Sequence, residues 1–372
     1  FETPEELRKQ GIDVILGLAH FLDDRTVAVG QDTIRAKAFV ISTGARPALP
    51  EIEGLKDVPF VTNEQIFDND RLPPRLIVIG GGPIGAEMAQ AYQRLGSKVT
   101  VIARNLLPKE DPEARTRIER VFEQEGVRIS RGRANKARKE GADVVIGTDT
   151  AEVRGDLLMI ASGRAPNVSG LNLEAAGVRY SEKGVSVDDQ LRTNVKHIYA
   201  AGDVVGGYQF THFAAWQAFQ AARNALLPGH ASGFSQVVPR VTFTDPEIAH
   251  VGVTESEARA KSIDGIRIHT WEMTHTDRAI CENDSIGFIK VITKDDGIVL
   301  GATIMAARAG ETITEFVLAI RHGLKIAQLA EAIHAYPTYS TAVQQLASDI
   351  AVENLLSGTS GRLLLGLSKI IR

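Results

Sequence analysis

The chain has 372 residues, of which 44% are hydrophobic and 24% charged, with a formal net charge of -4. This is the make-up of a globular protein with room for two or three domains; the absence of a basic block argues against a nucleic-acid partner, and no apolar run approaches the roughly 18 residues of a membrane span. A single cysteine, Cys281, excludes an intrachain disulfide and, with no signal-peptide pattern at the start, points to the cytoplasm.

In chain order, residues 10–50 read as short strands and turns, at 14–18, 26–29 and 38–41, the last running into Ser42-Thr43-Gly44-Ala45-Arg46-Pro47. Pro73-Pro74 marks a boundary, because neither residue continues a helix or offers an N–H. Beyond it, Leu76-Ile77-Val78-Ile79 breaks into Gly80-Gly81-Gly82-Pro83-Ile84-Gly85, a helical pattern runs to Leu95, Gly96 stops it, and residues 98–102 read as a second strand. Gly80, Gly82 and Gly85 fit G-x-G-x-x-G in the strand–turn–helix–strand setting that a dinucleotide site requires. Gly80 permits the tight turn, Gly82 admits a pyrophosphate to the backbone, and Gly85 allows close helix–strand packing, with the helix N-terminus facing the phosphates.

The second strand ends Ile102-Ala103-Arg104-Asn105. Enzymes that use NAD commonly place Asp or Glu there to bind the ribose 2′-hydroxyl. Here no carboxylate stands to repel a 2′-phosphate, and Arg104 can fork onto it, so the reading favours NADP(H) over NAD(H); the alternative is a solvated surface arginine.

Residues 112–125 read as a helix opened by acidic residues, and 127–129, 144–146 and 157–160 as strands. Ala161-Ser162-Gly163-Arg164-Ala165-Pro166-Asn167 then repeats the plan of strand, Ser, Gly, Arg and Pro seen at 42–47, which fits two similar nucleotide-binding lobes; Gly163 is grouped with the NADP(H) site. A short strand at 197–200 ends in Gly202-Asp203, and a helix-compatible run covers 213–226. From 237 the texture changes to strands (237–243, 266–273, 287–293, 298–305), a capping-box helix start at Thr254-Glu255-Ser256-Glu257, and helices at 311–323 and 339–356, as in a separate α+β domain.

These landmarks in this order resemble the FAD-containing pyridine-nucleotide–disulfide oxidoreductases, over essentially the whole chain. Lys98-Val99-Thr100-Val101-Ile102-Ala103-Arg104 with Glu110-Asp111-Pro112, Gly207-Tyr208-Gln209-Phe210-Thr211-His212, and Val238-Pro239-Arg240-Val241-Thr242-Phe243-Thr244-Asp245-Pro246-Glu247 are similar to mercuric-reductase-like and dihydrolipoamide-dehydrogenase-like members. The resemblance implies an α/β fold of FAD- and NAD(P)-binding Rossmann-like lobes with a C-terminal α+β dimerisation domain: residues 1–72 and 192–232 from the FAD domain, 73–191 the NAD(P)H domain, and 233–372 the interface domain of a homodimer. It also implies that Asp203, after Gly202, binds the flavin ribityl chain, that Thr43 and Gly44 lie against the flavin, and that Glu87 faces the nicotinamide pocket, where it is a candidate catalytic residue. For Glu87 the alternative is a first-turn acid favouring the helix dipole, worth about 0.3–1 kcal/mol.

The chain departs from the family pattern in three ways. No glycine fingerprint precedes residue 42 and the sequence begins with Phe1, so the reading expects a flavin-binding lobe upstream of it, and with that lobe the redox cysteine pair. Cys281 is read as structural, and with no second soft ligand beside it mercury chemistry is not inherited. The family's His-Pro-Thr-x-x-Glu becomes Tyr336-Pro337-Thr338-Tyr339-Ser340-Thr341, with His334 two residues early. A phenol of pKa near 10 is a poor general base at neutral pH, so the change argues against lipoamide or glutathione as substrate, although Tyr336 remains the candidate catalytic residue beside the partner's flavin. No metal site is expected, since no Cys/His spacing supports one.

The function expected is therefore an FAD-dependent oxidoreductase passing hydride from NADPH to flavin and on to a small-molecule or disulfide acceptor that the sequence does not identify. The alternatives are a transhydrogenase or oxidase without disulfide chemistry, and a redox-inert nucleotide-binding dimerisation module. The apolar tail at 362–372, with its basic ends, is read as packing on its own dimer, with a membrane or partner surface as the alternative.

Overall fold

A computed structural model describes residues 3–357 and shows a mixed α/β chain in two compact units, Phe1–Ala48 with Arg164–Ser235, and Leu49–Gly163 with Gln236–Arg372. The tail at 362–372 lies outside the described residues. Among the described residues no helix is long and apolar enough to cross a membrane.

In the first unit the strands Phe39–Ile41 and Ile198–Ala200 pair in parallel, and Ala45–Pro47 pairs antiparallel with Arg164–Pro166. Ile41, Leu173, Ile198, Ala200 and Val204 form its core. The helix Thr211–Leu226 turns Phe213 and Ala221 inward. Residues 14–18 form no strand, contrary to the sequence reading. The strand starts at Ala19 and runs to Asp23, while Leu16 and Leu18 stand 74% and 92% exposed. An apolar run without a partner strand has no ladder to join.

The second unit contains a parallel sheet and two antiparallel sheets, one of three strands (Glu152–Gly155, Asp143–Thr148, Ala134–Glu140) and one of five. The parallel sheet orders its strands Leu157–Ile160, Arg75–Ile79, Lys98–Ile102, Arg128–Ser130. Leu76, Ile77, Val78 and Ile79 are all buried, as a continuous apolar run requires in a parallel sheet covered on both faces. The helices Pro83–Leu95 and Pro112–Glu125 both end in a left-handed glycine, Gly96 and Gly126, which gives the last turn its two closing hydrogen bonds. The five-stranded antiparallel sheet orders Arg240–Thr242, Glu247–Gly252, Val299–Ala306, Phe288–Lys294, Ile266–Glu272. Against it pack Phe316 and Val343 from the helices Thr314–Arg321 and Thr341–Ser357. The single helix expected at 311–323 is broken at Ile313 into Ala309–Thr312 and Thr314–Arg321. The capping box at Thr254 and Glu257 is present, with both reciprocal bonds made.

Charged side chains tie the helix Pro112–Glu125 to the five-stranded sheet. Arg117 forks onto Glu272 at 2.7 and 2.8 Å, binds Glu113, and lies 4.8 Å from the centre of the Phe288 ring. Lys290, 9% exposed, meets Asp111, 1% exposed, at 2.9 Å. Burial disfavours the Lys290 charge, but the Asp111 and Glu113 carboxylates outweigh that cost and hold its pKa above the ordinary lysine value. Asp111 also caps the helix Pro112–Glu125 by accepting the Glu113 N–H.

Two outcomes follow for stability. Lys290→Ala leaves a buried carboxylate unpaired and should cost about 3–5 kcal/mol in chemical denaturation, whereas Lys9→Ala, which removes the exposed pair to Glu5, should change stability by less than about 0.5 kcal/mol. His250 is fully buried, with Nδ1 on Thr303 and Nε2 on the Gly252 carbonyl; burial, followed by the nearby Arg240 charge, lowers its pKa from 6.5 to about 4. Below pH 6.5 the unfolded chain gains a proton that the folded chain refuses, so stability falls as pH drops from 6.5 toward 4, by on the order of 3 kcal/mol. Denaturation midpoints of wild type and His250→Gln across that range should converge as pH falls; parallel curves would contradict it.

Candidate functional site

In the second unit the glycine turn sits at the carboxyl end of Arg75–Ile79, an interior strand of the parallel sheet, where ligands of such sheets bind. Gly80 has φ +124, and a Cβ there would lie 2.2 Å from the Ala161 carbonyl oxygen. A Cβ on Gly85 would lie 2.0 Å from the Gly80 carbonyl oxygen. These two glycines let the helix and the neighbouring strand end close on the turn. Gly81, which the motif leaves as a free position, is also constrained: a Cβ there would meet the Asn105 carbonyl oxygen at 2.4 Å. Gly82 differs, since a Cβ there would meet nothing within 4 Å.

Gly82 is the N-cap of Pro83–Leu95, and no side chain caps that helix. Its first N–H groups and positive dipole end therefore face an open approach, which is the arrangement that a pyrophosphate fits. The segment carrying Ser162 and Gly163 reaches the same turn, with the Ala161 N–H donated to the Ile79 carbonyl at 2.8 Å and Gly163 at φ +135.

Arg104 lies just past the end of Lys98–Ile102, exposed to solvent. Among the described residues its guanidinium has no hydrogen-bond or ion-pair partner, while its carbonyl accepts from Arg131 Nη1 at 3.3 Å. Five donors on a planar fork are thus left for a ligand. Glu87 lies in the second turn of the helix, and the first turn holds no acid, so the dipole-favouring alternative is corrected. Its carboxylate accepts the Phe243 N–H at 2.8 Å, and burial raises its pKa above the usual carboxylate range.

In the first unit the residues expected to face a flavin gather at the carboxyl ends of the parallel strands Phe39–Ile41 and Ile198–Ala200. The Thr43 hydroxyl donates to the Asn167 carbonyl at 2.8 Å, and Asn167 Nδ2 donates back to the Thr43 carbonyl at 2.9 Å. Gly44, at φ +69, has open space where a Cβ would stand. The Gly202 N–H donates to Gln217 Oε1 at 2.9 Å, and Asp203 Oδ2 meets Arg164 Nη2 at 3.2 Å. Among the described residues, the buried Arg164 Nε has no hydrogen-bond partner. A carboxylate oriented at a strand end, beside glycine-lined backbone, suits sugar-alcohol hydroxyls, so the residues present fit a ribityl chain. Arg164 and Asn167 stood in the sequence repeat at 161–167 without a site role, and Gln217 was not singled out. The available signal was a Gln within the inward face of an apolar helix, where Gln217 is 1% exposed.

At the C-terminal motif Tyr336 is 72% exposed and its hydroxyl donates to Asp277 Oδ2 at 2.8 Å, which raises the phenol pKa. His334, two residues before Tyr336, is tied to a carboxylate and a carbonyl. Its Nε2 is 2.8 Å from Glu315 Oε2 and its Nδ1 3.0 Å from the Ala332 carbonyl. Thr341 is buried and donates to the Thr338 carbonyl. Cys281 is exposed at the end of the short helix Asp277–Cys281.

Residues 4–218 match the family model for pyridine nucleotide-disulphide oxidoreductase, and residues 238–347 the model for the dimerisation domain of the same family. The chain is 38% identical over 338 residues to mercuric reductase of Acidithiobacillus ferrooxidans, covering 88% of this chain and 61% of that one. It is 36% identical over 336 residues to mercuric reductase of Shewanella putrefaciens, covering 88% and 60%. This chain therefore spans about three fifths of the length of these curated relatives. Among solved structures, the HOCl-induced flavoprotein disulfide reductase RclA from Escherichia coli matches with TM-score 0.87 at 31% identity, covering 92% of this chain and 81% of that one. LpdA from Mycobacterium tuberculosis matches with TM-score 0.86 at 30% identity, covering 93% and 79%. Members of the matched family are oxidoreductases that use FAD and NAD(P)H. On both family models and on these relatives, the chain belongs to the pyridine nucleotide-disulphide oxidoreductase family.

Proposed function

We propose that this chain serves an FAD-dependent oxidoreductase that takes hydride from NADPH in preference to NADH. The observation that carries the reading is the combination, among the described residues, of a helix N-terminus behind Gly82 without a side-chain cap and a guanidinium on Arg104 without a hydrogen-bond or ion-pair partner. FAD, when bound, supplies the isoalloxazine that accepts hydride from NADPH and hands two electrons to the acceptor.

The chain's own residues bind and orient. The N–H groups behind Gly82 hold the pyrophosphate and Arg104 forks onto the 2′-phosphate. Glu87, held by the Phe243 N–H, borders the nicotinamide side, with its proton affinity raised by burial. Thr43, Gly44, Gly202 and Asp203 line the flavin side, with Asp203 oriented by Arg164. In this reading residues 1–72 and 192–232 serve FAD, 73–191 serve NADP(H), and 233–372 bring two copies together and set Tyr336 beside the partner's flavin.

Tyr336 does not act there as a general base. Its phenol is held protonated by Asp277, and a neutral phenol donates a hydrogen bond without accepting a substrate proton at neutral pH. Mercuric reductase is the name of the curated relatives. Within this chain Cys281 is the sole thiol, so its residues alone carry no soft-ligand set for that ion, and the acceptor is left as an electron sink of unassigned class.

The test uses the flavin-loaded protein under anaerobic conditions. NADPH should bleach the visible flavin absorbance at lower concentration than NADH. Arg104→Ala should weaken NADPH by about 10- to 100-fold, the worth of a hydrogen-bonded charge pair, and leave NADH within about twofold. A protein whose flavin responds to neither nucleotide, or an unchanged NADPH/NADH ratio in the variant, contradicts the reading.

A further inference from the structure

We infer that Arg131 is a positioning residue for 2′-phosphate recognition, acting as a strut that fixes the direction in which Arg104 leaves the backbone; this rests on the assignment of Arg104 to NADP(H). A long exposed arginine discriminates weakly if its own peptide is loose, because ordering it on binding costs rotamer entropy. The structure restrains that peptide. Beyond the ends of Lys98–Ile102 and Arg128–Ser130, the Ala103 N–H donates to the Ser130 carbonyl at 3.2 Å and the Gly132 N–H to the Ala103 carbonyl at 3.4 Å. The parallel ladder thus continues to the residue before Arg104.

Arg131 completes the restraint. Its Nη1 donates to the Arg104 carbonyl at 3.3 Å and its Nη2 to Glu119 Oε2 at 2.7 Å. Glu119 sits in the middle of the helix Pro112–Glu125, whose inward face, Ala114, Ile118 and Phe122, is fully buried. One guanidinium therefore links a rigid helix to the peptide that carries the phosphate-reading side chain. A lysine, with a single point of charge, cannot hold both partners in that fork geometry. Because Glu119 offsets its charge, Arg131 acts on the ligand through geometry. In the opposite account Arg131 attracts the phosphate directly, and Glu119 opposes it.

The two accounts differ in sign for one variant, Glu119→Gln. Affinities of the purified protein for adenosine 2′,5′-bisphosphate and for adenosine 5′-monophosphate, measured by calorimetry, read the 2′-phosphate contribution without any redox turnover. Wild type should prefer the bisphosphate by tenfold or more, and Arg104→Ala should abolish the preference. Arg131→Ala should reduce bisphosphate affinity several-fold and leave the monophosphate unchanged. Glu119→Gln should shift it in the same direction by a smaller factor. A rise in bisphosphate affinity in Glu119→Gln overturns the strut, as does an unchanged preference in Arg131→Ala while Arg104→Ala remains sensitive; in either case the Arg104 reading survives. A wild type indifferent to the 2′-phosphate overturns both. Thermal midpoints accompany each variant, and if Arg131→Ala fails to fold, Glu119→Gln decides alone.

Discussion

A methyl group on Gly85 would lie 2.0 Å from the Gly80 carbonyl oxygen, and one on Gly80 would lie 2.2 Å from that of Ala161. No rotamer change relieves a clash between backbone atoms, so these two positions admit only hydrogen. That steric closure brings the helix Pro83–Leu95, the turn and the strand end at 160 to one place. It leaves the orphan N–H groups of the helix, reduced to three because Pro83 has none, without a side-chain cap among the described residues. The nearby Gly82 is free of that constraint, since a Cβ there would meet nothing within 4 Å.

The five-stranded antiparallel sheet of the same unit steadies this geometry. Gln90 accepts the Asp245 N–H at 2.8 Å and donates to the Asp245 carbonyl at 2.8 Å, and Glu87 takes the Phe243 N–H. The glycine-turn helix is thereby pinned along its length to the segment around the strand Arg240–Thr242. The second helix is pinned by Arg117 and by the Lys290–Asp111 pair. Ile248, Phe288 and Met305 from the antiparallel sheet join Leu76, Val78 and Phe122 in one core. The change of texture near 237 is a real change of sheet type, yet it is not where side-chain packing stops.

The sequence was most legible where sterics or periodicity left few options. The glycine turn, the apolar strand before it, the capping box at Thr254 and the offset of Arg104 are all local patterns, and the fold class and family followed from their order. It was least legible where partners lie far apart in the chain. Arg164 with Asp203, Gln217 with Gly202 and Arg117 with Glu272 are contacts that topology alone creates. The strand Ala134–Glu140 was missed because it is polar. It is held by Arg138 to Glu152 and by Glu140 to Arg154, ion pairs that reach across the middle strand Asp143–Thr148 to Glu152–Gly155 on the far edge of the same sheet, and charge pairing replaces the apolar alternation that marks most strands. Residues 14–18 misled for the converse reason, since they carry apolar side chains with no sheet to bury them.

The central claim is that the space in front of Gly82 is reserved for a phosphorylated dinucleotide. Gly82 has φ -76 and ψ -179, a conformation open to valine, and its side-chain direction is empty. The decisive measurement is the thermal midpoint and NADPH affinity of Gly82→Val taken together. The account predicts a stability within about 0.5 kcal/mol of wild type and an NADPH affinity at least about tenfold weaker, a loss of roughly 1.4 kcal/mol. A variant that binds NADPH as wild type does would contradict it, and so would one whose loss of binding merely tracks unfolding.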